Sequence, residues 1–266
     1  MISFTRRAFG RLATASLTVA GLPAAPFHLD IGVGTFSYHL LSLDEMIVEL
    51  NANNIREIEM SRGEFMLMKP PSQEMVETAH RKLDAAGIRC VSYYTATIKD
   101  QTDLDYALRY AKIFGATNVS GDATGSILHE IDRQFTQAGL TFGIHNHWFP
   151  QKFPYESADD VLSALSMLSP TVGSTLDVGQ MAACGHDPVD AIRRLQSRLK
   201  LVHLKDVQAA GAEHNVLFGT GVANIPGVMQ ELKSLRFQKL AAIEFEKDTN
   251  DNEDMRQQIA YARKLA

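Results

Sequence analysis

The segment Leu201-Val202-His203-Leu204-Lys205-Asp206 alternates apolar residues with ionisable ones. This alternation is typical of a β-strand, because successive side chains of a strand point to opposite faces of the sheet. The apolar residues would lie against helices, and His203 and Lys205 would point the other way. Burying such groups without partners costs several kcal/mol each, so their presence indicates more than a packed core.

Seven further segments have the composition of short buried strands, and segments with helical periodicity lie between them. The eight predicted strands are 29–36, 56–60, 89–94, 118–121, 141–147, 173–178, 201–207 and 240–246. The eight predicted helices are 43–51, 73–86, 104–114, 127–138, 158–168, 188–195, 226–235 and 252–265. Strict alternation without a composition break predicts a single closed (β/α)8 TIM barrel.

The main alternative to a barrel is an open, doubly wound sheet. That fold normally carries a glycine-rich phosphate loop after its first strand. Here the first strand continues as Gly32-Val33-Gly34-Thr35-Phe36-Ser37, which lacks the pattern. The chain length of 266 residues also fits one barrel, which typically needs about 250 residues.

The composition is that of a soluble globular protein, with 45% apolar residues, 21% charged residues and a net charge of −5. The acidic balance gives no basic surface for nucleic acid, so we expect no nucleic-acid partner. No stretch reaches the ~20 apolar residues of a membrane span, so we expect no stable membrane anchor. The two cysteines, Cys90 and Cys184, are compatible with either a disulfide or two separate buried thiols.

The first residues differ from the rest. Thr5-Arg6-Arg7-Ala8-Phe9-Gly10-Arg11-Leu12 resembles the twin-arginine export motif, and an acid-free apolar stretch and small residues follow it. This order is typical of an export signal. We therefore expect residues 1–26 to be the signal, residues 27–266 to form the barrel, and the protein to be periplasmic or secreted after transient contact with the export machinery. A basic amphipathic N-terminal helix is the alternative.

In barrel enzymes the chemistry lies at the carboxyl ends of the strands. Ionisable residues of one parity recur there: Glu57, Glu59, His145, His147, Asp177, His203, Lys205, Glu244 and Glu246. Each alone could be a core histidine, a helix cap or an ion pair. Together at one barrel end they predict an open metal site, and their oxygen and imidazole atoms suit Mn²⁺, Mg²⁺, Co²⁺ or Zn²⁺ alike.

Several runs in sequence order carry a family resemblance. They are His145-Asn146-His147, Leu176-Asp177-Val178-Gly179, 183–188 (Ala-Cys-Gly-His-Asp-Pro), Val202-His203-Leu204-Lys205-Asp206, Gly219-Thr220-Gly221 and Ile243-Glu244. They look like the motifs of the sugar phosphate isomerase/epimerase family. That family belongs to the xylose-isomerase-like barrels, which also include endonuclease IV. The resemblance extends from about residue 30 to the C-terminus.

The resemblance implies a metal held by Asp177, His203 and Glu244. The sequence departs from the family on strand five, where well-studied epimerases have a glutamate and this chain has His145. Either His145 is a ligand in its place, or the metal has one protein ligand fewer. Ketose 3-epimerases of the family also use two metal-bound glutamates as acid and base. Only Glu244 is retained here, so His147, Lys205 or Glu59 would have to supply the second group.

These features predict a metal-dependent sugar isomerase or epimerase in which Glu244 removes a proton next to a carbonyl and an enediolate forms. The alternative is a lyase or hydratase acting on a keto-sugar or keto-glycoside. Phosphodiester hydrolysis, as in endonuclease IV, and non-catalytic sugar binding are further alternatives. Residues expected to contact the carbohydrate are Glu59, Trp148, His186 and Lys205. The sequence leaves a homo-oligomer open.

Overall fold

The computed structural model describes residues 27–148, 154–212, 214–246 and 252–266. The predicted export signal, residues 1–26, lies outside the described residues. Across the ranges that are described, none of the helices combines the length and apolar character that a membrane crossing requires.

The eight strands form a closed parallel barrel in chain order. They are β1 (Ile31–Gly34), β2 (Glu57–Met60), β3 (Arg89–Thr97), β4 (Asn118–Asp122), β5 (Thr141–His145), β6 (Val172–Asp177), β7 (Leu199–Leu204) and β8 (Ala241–Ile243). β1 pairs with β8 through Gly32 and Ala242, which closes the barrel. The predicted TIM barrel is confirmed. β3 runs three residues beyond its predicted end, and β8 is shorter than predicted.

Helices cover the outside of the barrel. Those in the described ranges are α1 (Leu43–Ala52), α2 (Gln73–Ala85), α3 (Gln101–Phe114), α4 (Ile127–Ala138), α5 (Ala158–Leu165), α6 (Val178–Ala183), α7 (Pro188–Leu195), α8 (Ile225–Ser234) and α9 (Glu253–Leu265). The short α6 was not predicted. It begins directly after β6 because the Asp177 side chain accepts a hydrogen bond from the backbone N–H of Gln180 and caps the helix.

Local sequence explains where several helices begin and end. Ser42 and Ser157 form capping boxes with Glu45 and Asp160, which satisfy free backbone N–H groups at the first turn. α3 ends at Gly115, whose φ of 70° places it in the left-handed region that glycine adopts without a steric penalty. The two capping boxes lie where loops from the barrel mouth enter α1 and α5, whereas Gly115 begins the loop into β4 at the opposite end of the barrel.

The strand alternation separates an apolar layer from a polar barrel axis. Val33, Ile58 and Leu176 point outward and are buried against the helices. The axis instead holds hydroxyls: Ser92 Oγ lies 3.3 Å from Ser120 Oγ, which lies 2.7 Å from Thr175 Oγ1. This hydrogen-bonded ladder satisfies polar groups that would otherwise be costly to bury.

The loop after β7 is held by one buried carboxylate. Asp206 accepts hydrogen bonds from the backbone N–H groups of Val207, Gly219, Gly221 and Ala223 at 2.9–3.1 Å. A Cβ on Gly221 would lie 2.2 Å from the Val207 carbonyl oxygen, so the close approach requires glycine. Asp206 is therefore a structural anchor for one wall of the mouth.

Both cysteines are free thiols, with Cys90 buried and Cys184 half-buried. Of the two arrangements compatible with the sequence, the structure has two separate thiols.

Candidate metal centre and pocket

Three ionisable side chains meet at the carboxyl end of the barrel. His145 ends β5, Asp177 ends β6 and His203 lies on β7; all three are buried, and their ligand atoms lie within 4.8 Å of one another. Glu244 follows β8, and its Oε2 lies 3.1 Å from His203 Nδ1. The structure thus brings together the four residues predicted to hold a metal, from four consecutive strands.

Asp177 carries the clearest sign of a missing partner. Its Oδ1 accepts the helix-capping bond from Gln180, but its Oδ2 is buried and has no hydrogen-bond partner. That oxygen lies 3.9 Å from His145 Nε2 and 3.7 Å from Lys205 Nζ. Burial and the charge of Glu244 raise the pKa of Asp177, although Lys205 and His203 oppose them. A divalent cation would satisfy the orphaned oxygen, and the donor set fits one.

The two buried imidazoles face each other. His145 Nε2 lies 3.0 Å from His203 Nδ1. Burial lowers the pKa of His203, but the charges of Glu59 and Glu244 outweigh it and raise that pKa to about 9. Burial, together with nearby cations, lowers the pKa of His145 well below its ordinary value. The two rings therefore bring imidazole nitrogens close together at the candidate site.

Glu59 orients His203 from below the site. Its Oε2 lies 2.5 Å from His203 Nε2, and its Oε1 accepts a hydrogen bond from Ser92 Oγ at 2.8 Å. A carboxylate on one ring nitrogen fixes the orientation of a metal-binding imidazole and directs the other nitrogen to the site. Glu59 is fully buried with both oxygens bound, whereas the sequence predicted it as a substrate contact.

Lys205 is the internal counter-ion of the site. Its Nζ lies 3.1 Å from Glu244 Oε1 and 2.5 Å from Glu246 Oε1. Burial raises the pKa of Glu244, but Lys205 and His203 outweigh burial, so the net direction is downward. Lys205 and His203 therefore favour the ionised form of Glu244.

His147 is linked to an aspartate that the sequence analysis did not single out. His147 Nε2 lies 3.0 Å from Asp122 Oδ2 and 3.1 Å from His145 Nδ1. Asp122 is the last residue of β4, one position beyond the predicted strand. Its place at a strand end is the signal that could have identified it.

The remaining predicted contacts lie at different depths. The Trp148 backbone N–H donates to Gln180 Oε1 at 2.8 Å, and its ring packs partly against the core. His186 is exposed and does not line the pocket above the buried cluster. Lys205 lies behind Glu244 rather than at the surface of the pocket.

A pocket of about 310 Å³ opens above the buried cluster. Its lining combines ionisable groups with an apolar wall: Phe36, Ser61, Met66, Met68, Tyr94, Ala96, Thr97, Asp122, His145, His147, Gln180, His203, Glu244 and Glu246. The apolar wall was missed, because loop residues such as Met66 and Met68 follow no periodic pattern. Tyr94 could have been found from strand parity, because it lies two residues after Ser92 on β3 and therefore points to the same, inner face of the barrel.

Comparison with known proteins agrees with the barrel fold. The family model described as xylose isomerase-like TIM barrel matches residues 122–265, more than half of the chain. No curated protein sequence matches the chain.

Among solved structures, a D-allulose 3-epimerase from Methylomonas sp. has a TM-score of 0.72 at 13% identity, covering 91% of this chain and 99% of that one. The probable 3-DHS dehydratase AsbF from Bacillus anthracis has a TM-score of 0.68 at 14% identity, covering 89% and 98%. The IOLI protein, whose structure has a binding zinc atom, has a TM-score of 0.66 at 12% identity, covering 89% and 96%. At these identities the three structures show a shared fold, and with the family match they confirm the resemblance found in the sequence: the chain belongs to the xylose isomerase-like TIM barrel family.

Proposed function

We propose that this protein is a divalent-metal-dependent sugar isomerase or epimerase that removes a proton next to a carbonyl. The observation that carries the proposal is the buried cluster of His145, Asp177 and His203 beside Glu244, with an orphaned Asp177 oxygen at its centre. The IOLI protein, which shares the fold, has a structure with a binding zinc atom, and this supports the presence of a metal.

His145, Asp177, His203 and Glu244 would hold the cation. When bound, a divalent cation polarises a carbonyl and the adjacent hydroxyl of a substrate. The choice among Mn²⁺, Mg²⁺, Co²⁺ and Zn²⁺ stays open, because oxygen and nitrogen ligands suit all four. His145 takes the place that a glutamate has in well-studied epimerases, and its proximity to His203 Nδ1 supports a role as the fourth ligand.

Glu244 is the proposed base. It lines the pocket, and Lys205 lies against its Oε1, which favours the ionised form of the carboxylate. Lys205 Nζ is held between Glu244 and Glu246, so it can stabilise the carboxylate before the proton is taken. After proton transfer Glu244 is neutral, and the proton can return to the same carbon or its neighbour.

A second acid or base is needed to deliver a proton from another direction. His147 lines the same pocket from beyond β5, three strands from Glu244, and lies against Asp122. A histidine transfers protons efficiently near neutral pH. We propose that His147 fills this role, with Asp122 holding its ring.

A lyase or hydratase acting on a keto-sugar is the second candidate. Replacement of a strand-five glutamate by His145 favours it, because the two carboxylates of a symmetric epimerase are then not both present. The structural similarity to a dehydratase and to a sugar epimerase is compatible with either reaction. Both begin with removal of the proton next to the carbonyl, so one experiment tests the shared step.

The test is Glu244→Gln with a panel of ketoses and keto-glycosides in deuterated water. Wild-type protein loaded with metal should exchange the hydrogen next to the carbonyl, and proton NMR should show its signal disappear. Glu244→Gln removes the base while keeping the shape, so exchange should fall about 10²–10⁴-fold. Glu130→Gln, on the exposed face of α4, is the matched control. An active substrate that reacts without exchange would contradict the proposal; an isomer of equal mass identifies an epimerase, and an unsaturated product a lyase.

A further inference from the structure

Tyr94 lies on the inward face of β3, in the same pocket. Its neighbour Tyr93 points outward, where its ring packs against Tyr110 and Phe114. Ser92 points inward and binds Glu59, so Tyr94 stands one layer above it, at the level of the site. The Tyr94 ring meets the His145 ring edge-on, with centroids 5.4 Å apart. The alternation of side chains along β3 thus places the Tyr94 ring beside the candidate metal centre.

The end of β3 is irregular directly after Tyr94. The register with β4 shifts between Tyr94 and Thr97, and Ala96 has a φ of 63°, in the left-handed region that alanine rarely adopts. Gly121 on β4 makes room, because a Cβ there would lie 2.3 Å from the Ala96 carbonyl oxygen. Irregular strand ends of this kind re-aim side chains and concentrate at functional sites.

The hydroxyl of Tyr94 has no partner in the described structure. Within the part of the chain that the structure describes, Tyr94 Oη forms no hydrogen bond, and the Tyr94 ring contacts His145. Tyr94 also lines the pocket. A phenol beside a pocket offers one O–H donor to a bound ligand.

The carboxylates that line the pocket cannot supply such a donor. Asp122, Glu244 and Glu246 only accept hydrogen bonds when ionised. Lys205 is held by Glu244 and Glu246. A sugar presents several oxygens, and an oxygen that gains negative charge when a neighbouring proton leaves needs a donor aimed at it.

We propose that Tyr94 Oη donates a hydrogen bond to an oxygen of a bound keto-sugar, on the β3 side of the pocket. This inference rests on the proposed function and adds a substrate-contacting residue to it. The carbohydrate therefore carries a hydroxyl or carbonyl oxygen on that side, and a deoxy analogue lacking it is discriminated against.

The test is Tyr94→Phe, which removes only the hydroxyl. With the substrate that the exchange screen identifies, kcat/KM should fall about 10- to 100-fold. Metal stoichiometry and the thermal unfolding midpoint should stay at wild-type values, because the hydroxyl has no partner among the described residues. Tyr106→Phe, on α3, is the matched control. With wild-type protein, a deoxy analogue that lacks the contacted oxygen should have a kcat/KM lower by the same factor than that of the parent substrate. With Tyr94→Phe, the analogue and the parent substrate should have equal kcat/KM values.

The outcomes separate the two proposals. Wild-type exchange with an unchanged kcat/KM in Tyr94→Phe would overturn the role of Tyr94 and leave the proposed function standing. Loss of metal or of thermal stability in Tyr94→Phe would assign the hydroxyl a structural role and overturn the proposal equally. A wild-type protein that neither binds nor exchanges any ketose of the panel would contradict the proposed function itself, and the role of Tyr94 with it.

Discussion

Glu59 Oε2 lies 2.5 Å from His203 Nε2, so a fully buried carboxylate fixes the imidazole whose other nitrogen faces the candidate metal centre. Glu59→Gln should weaken metal affinity about 10- to 100-fold, because an amide holds the ring less strongly. Metal titration of the apoprotein measures the change. Glu57→Gln, two residues earlier on β2 and paired with Arg89, is the control and should bind metal as wild type does. Equal affinity of the Glu59 and Glu57 variants would contradict this role.

Asp177→Ala and His203→Ala should each lose stoichiometric metal while keeping a folded barrel. Both residues belong to the cluster that could hold a metal ion, so either substitution removes a candidate ligand. Elemental analysis after gel filtration, with circular dichroism as the check on folding, measures the outcome. Stoichiometric metal in both variants would show that the site lies elsewhere.

His145→Ala tests whether His145 is a metal ligand or whether the metal has one protein ligand fewer. We expect nearly complete metal loss in this variant, because His145 Nε2 lies 3.0 Å from His203 Nδ1 and belongs to the same cluster. Retention of metal with loss of activity would instead make His145 a substrate contact. The metal content of His145→Ala is measured by elemental analysis, as for Asp177→Ala.

The two cysteines should react slowly with iodoacetamide in the native protein. Burial raises the pKa of Cys184 to about 11 and that of Cys90 to about 12. The thiolate is the reactive form, so its fraction at pH 8 is far below that of an ordinary cysteine, and the rate should rise as the pH increases toward these values. Mass spectrometry should find two alkylated thiols only after unfolding. A mass two units lower without reduction would reveal a disulfide and contradict the expectation.

Export is tested by Arg6→Lys together with Arg7→Lys. The double variant keeps the charge but removes the arginine pair, so the full-length protein should stay in the cytoplasm. Cell fractionation measures its location, and Arg11→Lys is the control. Unchanged periplasmic accumulation of the double variant would rule out twin-arginine export.

The sequence predicted the barrel and the four clustered residues for one physical reason. A strand buried against helices on its outer face must be apolar at every second position, so inward polar residues stand out. His145, Asp177, His203 and Glu244 all follow this rule. Parity specifies which face a residue is on, but not how deep it lies. Glu59 has the predicted inward phase, yet it lies one layer below the pocket.

Other features could not be predicted because they depend on three-dimensional proximity. The six-residue α6 is too short to show a helical period, and only the Asp177 cap reveals it. Met66 and Met68 come from an irregular loop that reaches the pocket because the Leu67 N–H donates to the Thr95 carbonyl oxygen. His186 belongs to the motif 183–188 but is exposed and does not line the pocket.

Gly121 and Ala96 also have an evolutionary consequence. Because the Ala96 carbonyl oxygen occupies the space of a Cβ at position 121, a larger residue at 121 is accommodated only if β3 ends differently. The two positions should therefore vary together among natural relatives. A lineage that substitutes Gly121 should also change residues 94–97, and its preferred substrate should shift without alteration of any metal ligand.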